Sequence, residues 1–361
     1  MAIFTGQLRS NEIFSALYNM IISQEVFADN LGAHQTLVDK ARVDGGLYGD
    51  TKLYYSTDVL KSVPWGDDAE AANLLALHRP EAPECQAIHL DVFRQICLTV
   101  DNYLWKRAWA TEGAFSSFNS IMLGWMKDTK RVYDGTLYNV FIGTTKATGA
   151  GQTISVDLSG ATSLTGVEKE QMEAMLIAQK LADLMVAMGD YSRDFNDYGN
   201  LRSYAKDGIK VVWNSKFVNK IRKVDLPTIF HKDGLIDKFE EDILPERYFG
   251  DVNTSKLTSI EANTVRSTIE KDYTVSSKIT HVFPGDYIPA GATVEIGEGY
   301  TAPAKDVICK VLVKLPPYMS AFEVGTSFFN AKSLTENHYL TFGHNTIEYL
   351  KNYPFITVQV K

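Results

Sequence analysis

The spacing of apolar positions changes several times along the chain. Between residues 10 and 31, Ile13, Phe14, Leu17, Ile21 and Phe27 recur at mostly helical intervals, which predicts a helix-bearing arm ahead of Gly45 and Gly46. The period then drops to two. In LYGDTKLYYSTDVL, Leu53, Tyr55, Thr57 and Val59 fall on one face and Lys52, Tyr54, Ser56 and Asp58 on the other, which is a strand pattern. In AIHLDVFRQICLTV, Ile88, Leu90, Val92, Ile96, Leu98 and Val100 share a face broken by Arg94, which predicts the return strand. At about 3.3 Å per residue the pair forms an arm of roughly 40 Å. Its connection, KSVPWGDDAEAANLLALHRPEAPE, is far longer than a tight turn. A lone two-stranded hairpin is marginal in water, so the arm is expected to lie against something else, such as a neighbouring subunit.

Helical periods return after the hairpin. Thr111 is placed to cap a helix running to about Asp134, with Phe115, Phe118, Met122, Trp125 and Val132 on its apolar side. The stretch GTTKATGAGQTISVDLSGATSLTG is rich in Gly, Ser, Thr and Ala and reads as a flexible break and a domain boundary. Beyond it, Thr165 to Glu168 has the form of a capping box opening a second long helix, with Met172, Met175, Leu176, Leu181, Leu184, Met185 and Met188 on one side. A stripe with four methionines suits a binding groove or a core, and its width is that of a buried face.

Residues 209–213 predict a buried strand, Asn214 an N-cap, and Phe217, Val218 and Ile221 the inner side of a short helix, with another starting at Leu226 and Pro227. Lys216, Lys220, Arg222 and Lys223 form its outer, basic side, which suits a solvated face, a subunit contact or a nucleic-acid contact. The last third is strand-like: DVICKVLVKL alternates, FPGDYIPAGATVEIG carries β-turn punctuation, and Ile356, Val358 and Val360 share one face of a final strand.

Composition narrows the function. With 361 residues, 45% of them hydrophobic, the chain can bury a large core, and 18 Tyr and 18 Phe supply packing surface in excess of a minimal enzyme's need. A net charge of -8 argues against a protein built mainly to grip phosphate backbones. Cys85, Cys97 and Cys309 are odd in number and irregularly spaced, so a reducing compartment is expected. The N-terminus lacks a signal pattern and no apolar run approaches the ~20 residues of a membrane span, so synthesis in the cytoplasm and no membrane partner are expected.

Motifs for chemistry are missing. GTTKATGAGQT has glycines without the order of a phosphate loop, and neither a nucleophile elbow nor HExxH occurs. Cys85, His89 and Cys97, or His338 and His344, are the nearest ligand groupings, and neither has a zinc spacing. Asp67-Asp68 and Glu240-Glu241 are sequence neighbours, which gives no ground for a shared proton. The sequon at Asn253 matters only in a secreted protein. No catalytic, cofactor-binding or metal residue is assigned, and no cofactor is expected.

The order of elements is similar to that of the major capsid protein of tailed bacteriophages. CQAIHLDVFRQICLTVDNYLWKRAW leading into AFSSFNSIMLGWMKDTKRVY resembles the return strand of that family's extended E-loop running into its spine helix. IKVVWNSKFVNKIRKVDLPTIF resembles a strand of its axial domain ending in Asn before a helix. Two features depart from the pattern: no charged coiled-coil segment precedes the hairpin, and FPGDYIPAGATVEIGEGYTAPAK matches no family motif. Lys52 and Lys61 resemble lysines of members that cross-link covalently, but no matching acid and Asn are identifiable, so that chemistry is not carried over.

The resemblance implies an α+β, Hong Kong 97-like fold. Its parts would be an N-terminal arm over 1–48, an E-loop hairpin over 49–104 and a peripheral domain with the spine helix over 105–142. An axial domain would follow over 143–340, with a β insertion near 279–305, and then a terminal strand of the peripheral domain over 341–361. It further implies a virion shell protein that assembles with itself as pentamers and hexamers into an icosahedral or prolate head. A separate scaffolding protein, a portal and weakly, non-specifically held double-stranded DNA would be its other partners. Two rivals stand beside it: another phage structural protein, of a tail or adhesion device, and a cytosolic enzyme with a dispersed site near 165–250.

Overall fold

The computed structural model describes residues 36–45, 51–62, 77, 79–100, 112–149, 151–218, 240–253, 257–259, 264–266, 271–275, 278–282, 287–288, 293–296, 300–303 and 306–361. The expected helix over 10–31, the cap Thr111, the pair Asp67-Asp68 and the basic residues Lys220, Arg222 and Lys223 lie outside them, as does the helix expected from Leu226.

A short helix α1 (Leu37–Ala41) runs into β1 (Arg42–Asp44), and the hairpin strands follow as β2 (Thr51–Ser56) and β3 (Glu84–Val100). The expected apolar face of β3 is the covered one: Ile88, Leu90 and Val100 are buried, Val92, Ile96 and Leu98 half-buried, and Arg94 exposed. Next comes the long helix α2 (Glu112–Thr144), 33 residues and about 50 Å at 1.5 Å per residue. It continues ten residues past the expected end at Asp134, because Tyr138, Val140 and Ile142 find burial there. Its inner side also differs from the expected one. Met126, Lys130, Tyr133 and Asp134 are buried, whereas Trp125 and Val132 are exposed.

The chain then forms β4 (Thr153–Val156), the second long helix α3 (Gly166–Gly189), β5 (Lys210–Asn214) and β6 (Glu240–Leu244). Thr165 makes no side-chain cap bond, and Gly166 enters α3 with a φ of 63° in the left-handed region, so the expected capping box is not formed. On α3, Ala174, Ile177, Ala178, Leu181, Leu184, Met185 and Met188 are buried, and Met175 is exposed. The later methionines are core, and the stripe turns on to smaller residues toward the N-terminus.

Eight short strands follow: β7 (Gly250–Asn253), β8 (Leu257–Ser259), β9 (Thr264–Arg266), β10 (Lys271–Val275), β11 (Lys278–Val282), β12 (Tyr287–Ile288), β13 (Thr293–Ile296) and β14 (Tyr300–Pro303). They form two four-stranded sheets, ordered β11-β10-β13-β8 and β12-β9-β14-β7. The β insertion expected near 279–305 thus begins earlier, at Gly250. Pro303 pairs with Gly250, which closes the unit at its base.

The remaining strands are β15 (Val307–Leu312), β16 (Tyr318–Asn330), β17 (Thr335–Asn345) and β18 (Phe355–Val360). They complete two five-stranded sheets. One, ordered β1-β16-β17-β3-β2, holds the hairpin, and the other, ordered β4-β18-β15-β5-β6, is the centre of the molecule. The expected boundary at 340/341 falls inside β17, and the terminal strand β18 shares a sheet with β5 and β15, which the resemblance assigns to the axial domain. Strand β18 goes there because its apolar residues match a sheet covered on both faces.

Those two covers explain the central sheet's composition. Val211, Trp213, Ile308, Val311, Ile356 and Val358 pack with α3. Val212, Leu312 and Phe355 pack on the opposite side with Tyr138 and Ile142 of α2 and Leu37 of α1. A strand buried on both faces loses the half-polar alternation, and all of β15 is buried, Lys310 included. The Lys310 ammonium is satisfied there: it donates to the Thr145 carbonyl, just past the end of α2, and to Thr357 Oγ1, each at 2.7 Å.

The glycine-rich stretch after α2 is a hydrogen-bonded joint, contrary to the expected flexible break. The Asp197 carboxylate accepts from the Gly149 amide at 2.9 Å, Gln152 Nε2 at 2.6 Å and the Tyr349 hydroxyl at 2.5 Å. A Cβ at Gly149 would lie 2.6 Å from Asp197 Oδ1, so a glycine is needed for that approach.

Candidate assembly interface

The hairpin sheet presents apolar side chains to solvent. Strands β2 and β3 pair from Thr51↔His89 to Ser56↔Glu84, and from Leu90 onward β3 pairs with β17 instead. The arm is therefore only partly a free hairpin: the half of the return strand farther from the connection, from Leu90 to Val100, is built into a sheet. The face of β2 expected to be apolar is the uncovered one, with Leu53 51% and Tyr55 65% exposed. Past the strand, Leu60 and Leu77 are about four-fifths exposed, at 79% and 80%.

A second exposed group lies at the end of β16 and β17. Strand β1 covers β16 from Tyr318 to Ser320, so beyond Ser320 β16 is an open edge among the described residues. Residues 323–329 are exposed on both faces, with Val324, Phe328 and Phe329 among them. A groove of about 460 Å³ runs between this hairpin and α2, lined by Met126, Lys127, Thr326, His338 and Leu340. Exposed apolar residues grouped on extended strands and an open sheet edge are features of a surface that meets another chain.

The base of the arm is fixed to the body by side chains. Gln86 donates to the Tyr349 carbonyl and accepts from the Lys351 amide, both at 3.0 Å. Lys314 lies over the rings of Tyr54 and Tyr353 at 5.5 and 5.4 Å. Asn200 Nδ2 donates to Ser56 Oγ at 2.8 Å, and Arg202 Nη2 donates to the Thr57 carbonyl at 2.5 Å. Asp58 accepts from the Leu201 amide at 2.9 Å and from Arg193 Nη1 at 2.6 Å. Those two partners, the amide first, hold the Asp58 carboxyl down to about 2.

The sequence-derived candidates are dispersed. Cys85 and Cys97 are exposed on β3, while His89 shares a 2.9 Å hydrogen bond with Thr51. His338 lines the groove, and His344 is buried between Tyr133, at 3.1 Å from its Nε2, and the Asn345 carbonyl, at 2.9 Å from its Nδ1. Cys309 is buried in β15, which pushes its thiol up. Glu240 pairs with Lys210 and Lys40, and Glu241 accepts from Trp213 Nε1, so the acidic neighbours have separate partners. Lys216 pairs with Glu246 at 3.2 Å. Lys52 is half-buried on β2 and Lys61 is exposed; Asn253 ends β7. Among the described residues, no three His, Cys, Asp or Glu side chains gather as metal ligands, and no helix is long and apolar enough to cross a membrane. Missed in the sequence were Asp58, Arg193 and Asp197, whose roles rest on partners more than 40 residues away.

No protein-family model matches the chain, and no curated protein sequence does. Solved structures do. A chain of the capsid structure of Staphylococcus phage Andhra is similar over 93% of this chain and 87% of its own, with 10% identity and a TM-score of 0.59. A chain of the structure of the head fiber and inner core protein gp22 of native bacteriophage P68 is similar over 93% and 91%, with 11% identity and a TM-score of 0.53. The class this establishes is one of fold: an α+β chain folded as in tailed-phage particles. The likeness spans nearly the full length of all three chains.

Proposed function

We propose that the chain is a major capsid protein, a shell subunit that binds copies of itself in five- and six-fold rings closing into a phage head. One observation carries the reading: a fold shared across 93% of the chain with a chain of a phage capsid, in which the sheet arm displays apolar residues that the chain itself leaves uncovered. Leu53, Tyr55, Leu60 and Phe328 gain burial on a second copy, and many modest contacts per subunit make a closed shell stable. The role is structural rather than enzymatic, and its place is the virion. Synthesis in the host cytoplasm, a separate scaffolding protein, a portal and weak contact with packaged DNA belong to the same proposal, and the net charge of -8 suits a lining that does not hold DNA tightly.

The purified chain, viewed by negative-stain electron microscopy and sedimented in parallel, is expected to give closed particles or five- and six-membered rings. A chain that stays monomeric at high concentration, with crowding agents and with its scaffold supplied, would overturn the proposal.

A further inference from the structure

We propose that Asp58 is a positioning residue for assembly: it clamps the outgoing leg of the hairpin to the loop over residues 190–202 of the same chain, so that Val59 and Leu60 are aimed before a second copy arrives. This rests on the assembly function proposed above. Ladder pairing between β2 and β3 ends at Ser56↔Glu84. For residues 57–60 the direction-setting bonds come from the loop: Arg202 to the Thr57 carbonyl, and Arg193 and the Leu201 amide to Asp58. Asp58 also accepts from the Val59 amide at 2.8 Å, which turns the chain at that point.

The loop is itself held firm, as a clamp requires. Ser192 and Arg202 exchange two backbone hydrogen bonds of 2.9 Å. Asn196 donates to the Asn200 carbonyl at 2.7 Å and accepts from its amide at 2.9 Å. Arg193 donates to the Gly199 carbonyl at 2.7 Å with the same nitrogen that reaches Asp58. A carboxylate bridging a rigid loop and the root of an arm fixes the arm's exit direction, and a small change at the root is magnified along its length. Fixing that direction in the free subunit removes part of the ordering cost of association.

The test uses the full chain, wild type, Asp58→Ala and Arg193→Ala, the last removing the clamp from the loop side. Hydrogen exchange is followed at the Leu201 amide in unassembled subunits, together with the concentration at which particles form. Both variants are expected to exchange Leu201 about ten-fold faster or to free residues 57–62, while protection in α3 and β15 stays at the wild-type level. Particles should form at a several-fold higher concentration or with irregular curvature. Unchanged exchange and unchanged assembly in both variants would overturn the clamp, and faster exchange with unchanged assembly would overturn its role in aiming the arm. A wild-type chain that does not assemble overturns the shell reading and the aiming role together, whereas Leu201 exchange still decides whether the clamp exists.

Discussion

Asp134 shows how much one side chain can connect. It is 1% exposed as a side chain, accepts from the Tyr318 hydroxyl at 2.7 Å, and pairs with Lys130 at 3.0 Å and Arg42 at 3.4 Å. It thereby ties α2 to β1 and β16. Asp134→Ala is expected to cost about 3–5 kcal/mol in urea or guanidinium unfolding, because Lys130 is left in a buried site without its nearest carboxylate. Gly143→Ala is expected to cost about 1–3 kcal/mol in the same assay, since a Cβ there would sit 2.0 Å from the Tyr248 carbonyl oxygen. His344 makes the same joint pH-dependent. Desolvation holds its imidazole below the ordinary 6.5, the Asn345 carbonyl, Asp134 and Asp91 pull it up, and Arg94 pushes it down. The native ring is neutral, so as pH falls through about 6.5 the unfolded chain protonates first and stability is lost. His344→Phe is expected to flatten that slope when unfolding free energies are compared between about pH 8 and pH 5.5. Some of this scale was readable in the sequence: Asn214 caps the turn after β5 by accepting from the Lys216 amide at 3.1 Å, as its position after an apolar strand suggests. Lys310 was not, because alternation places a lysine on a wet face and says nothing of the helix end that receives it.

At the scale of elements, the arm divides into a strand built into the sheet and a connection whose described residues are largely exposed. Deleting residues 50–100 would strip β17 of its partner from Leu90 to Val100 and so test folding more than assembly. Replacing residues 59–83 with a short glycine-serine turn keeps both pairings, and the product is expected to melt as the wild type does but to fail to form particles, as read by calorimetry and sedimentation. The strands were legible because a half-covered sheet imposes period two, and β3 obeys it from Ile88 to Val100. The helix α2 was less legible. Its inner side carries Lys130 and Asp134 and continues through Gly135, so a hydropathy pattern selects the exposed Trp125 and Val132 and stops a third of the helix too early. The open edge of β16 could not be read at all, since it depends on how far β1 extends along it.

For the whole molecule, the two five-stranded sheets form the body and the strands over 250–303 are an inserted unit with adjoining ends. Replacing residues 251–302 with a short linker is expected to leave a soluble chain whose melting temperature moves by no more than about 5 °C, by circular dichroism, because Gly250 and Pro303 already face each other. The order of elements along the chain revealed the arm, the long helix and the mixed region, but not which strands share a sheet. That depends on pairings such as β18 with β4 and β15, which join segments about 200 and 50 residues apart in sequence.

Strand β18 also imposes a timetable. It lies between β4 and β15, yet it is translated after every other strand among the described residues. While a ribosome adds about 5–20 residues per second, the growing chain carries β4 without its partner and a three-stranded β15-β5-β6 sheet whose β15 edge is unfilled. The central sheet closes only when β18 slots between them, so its hydrophobic faces stay incomplete until the last of these strands has left the ribosome.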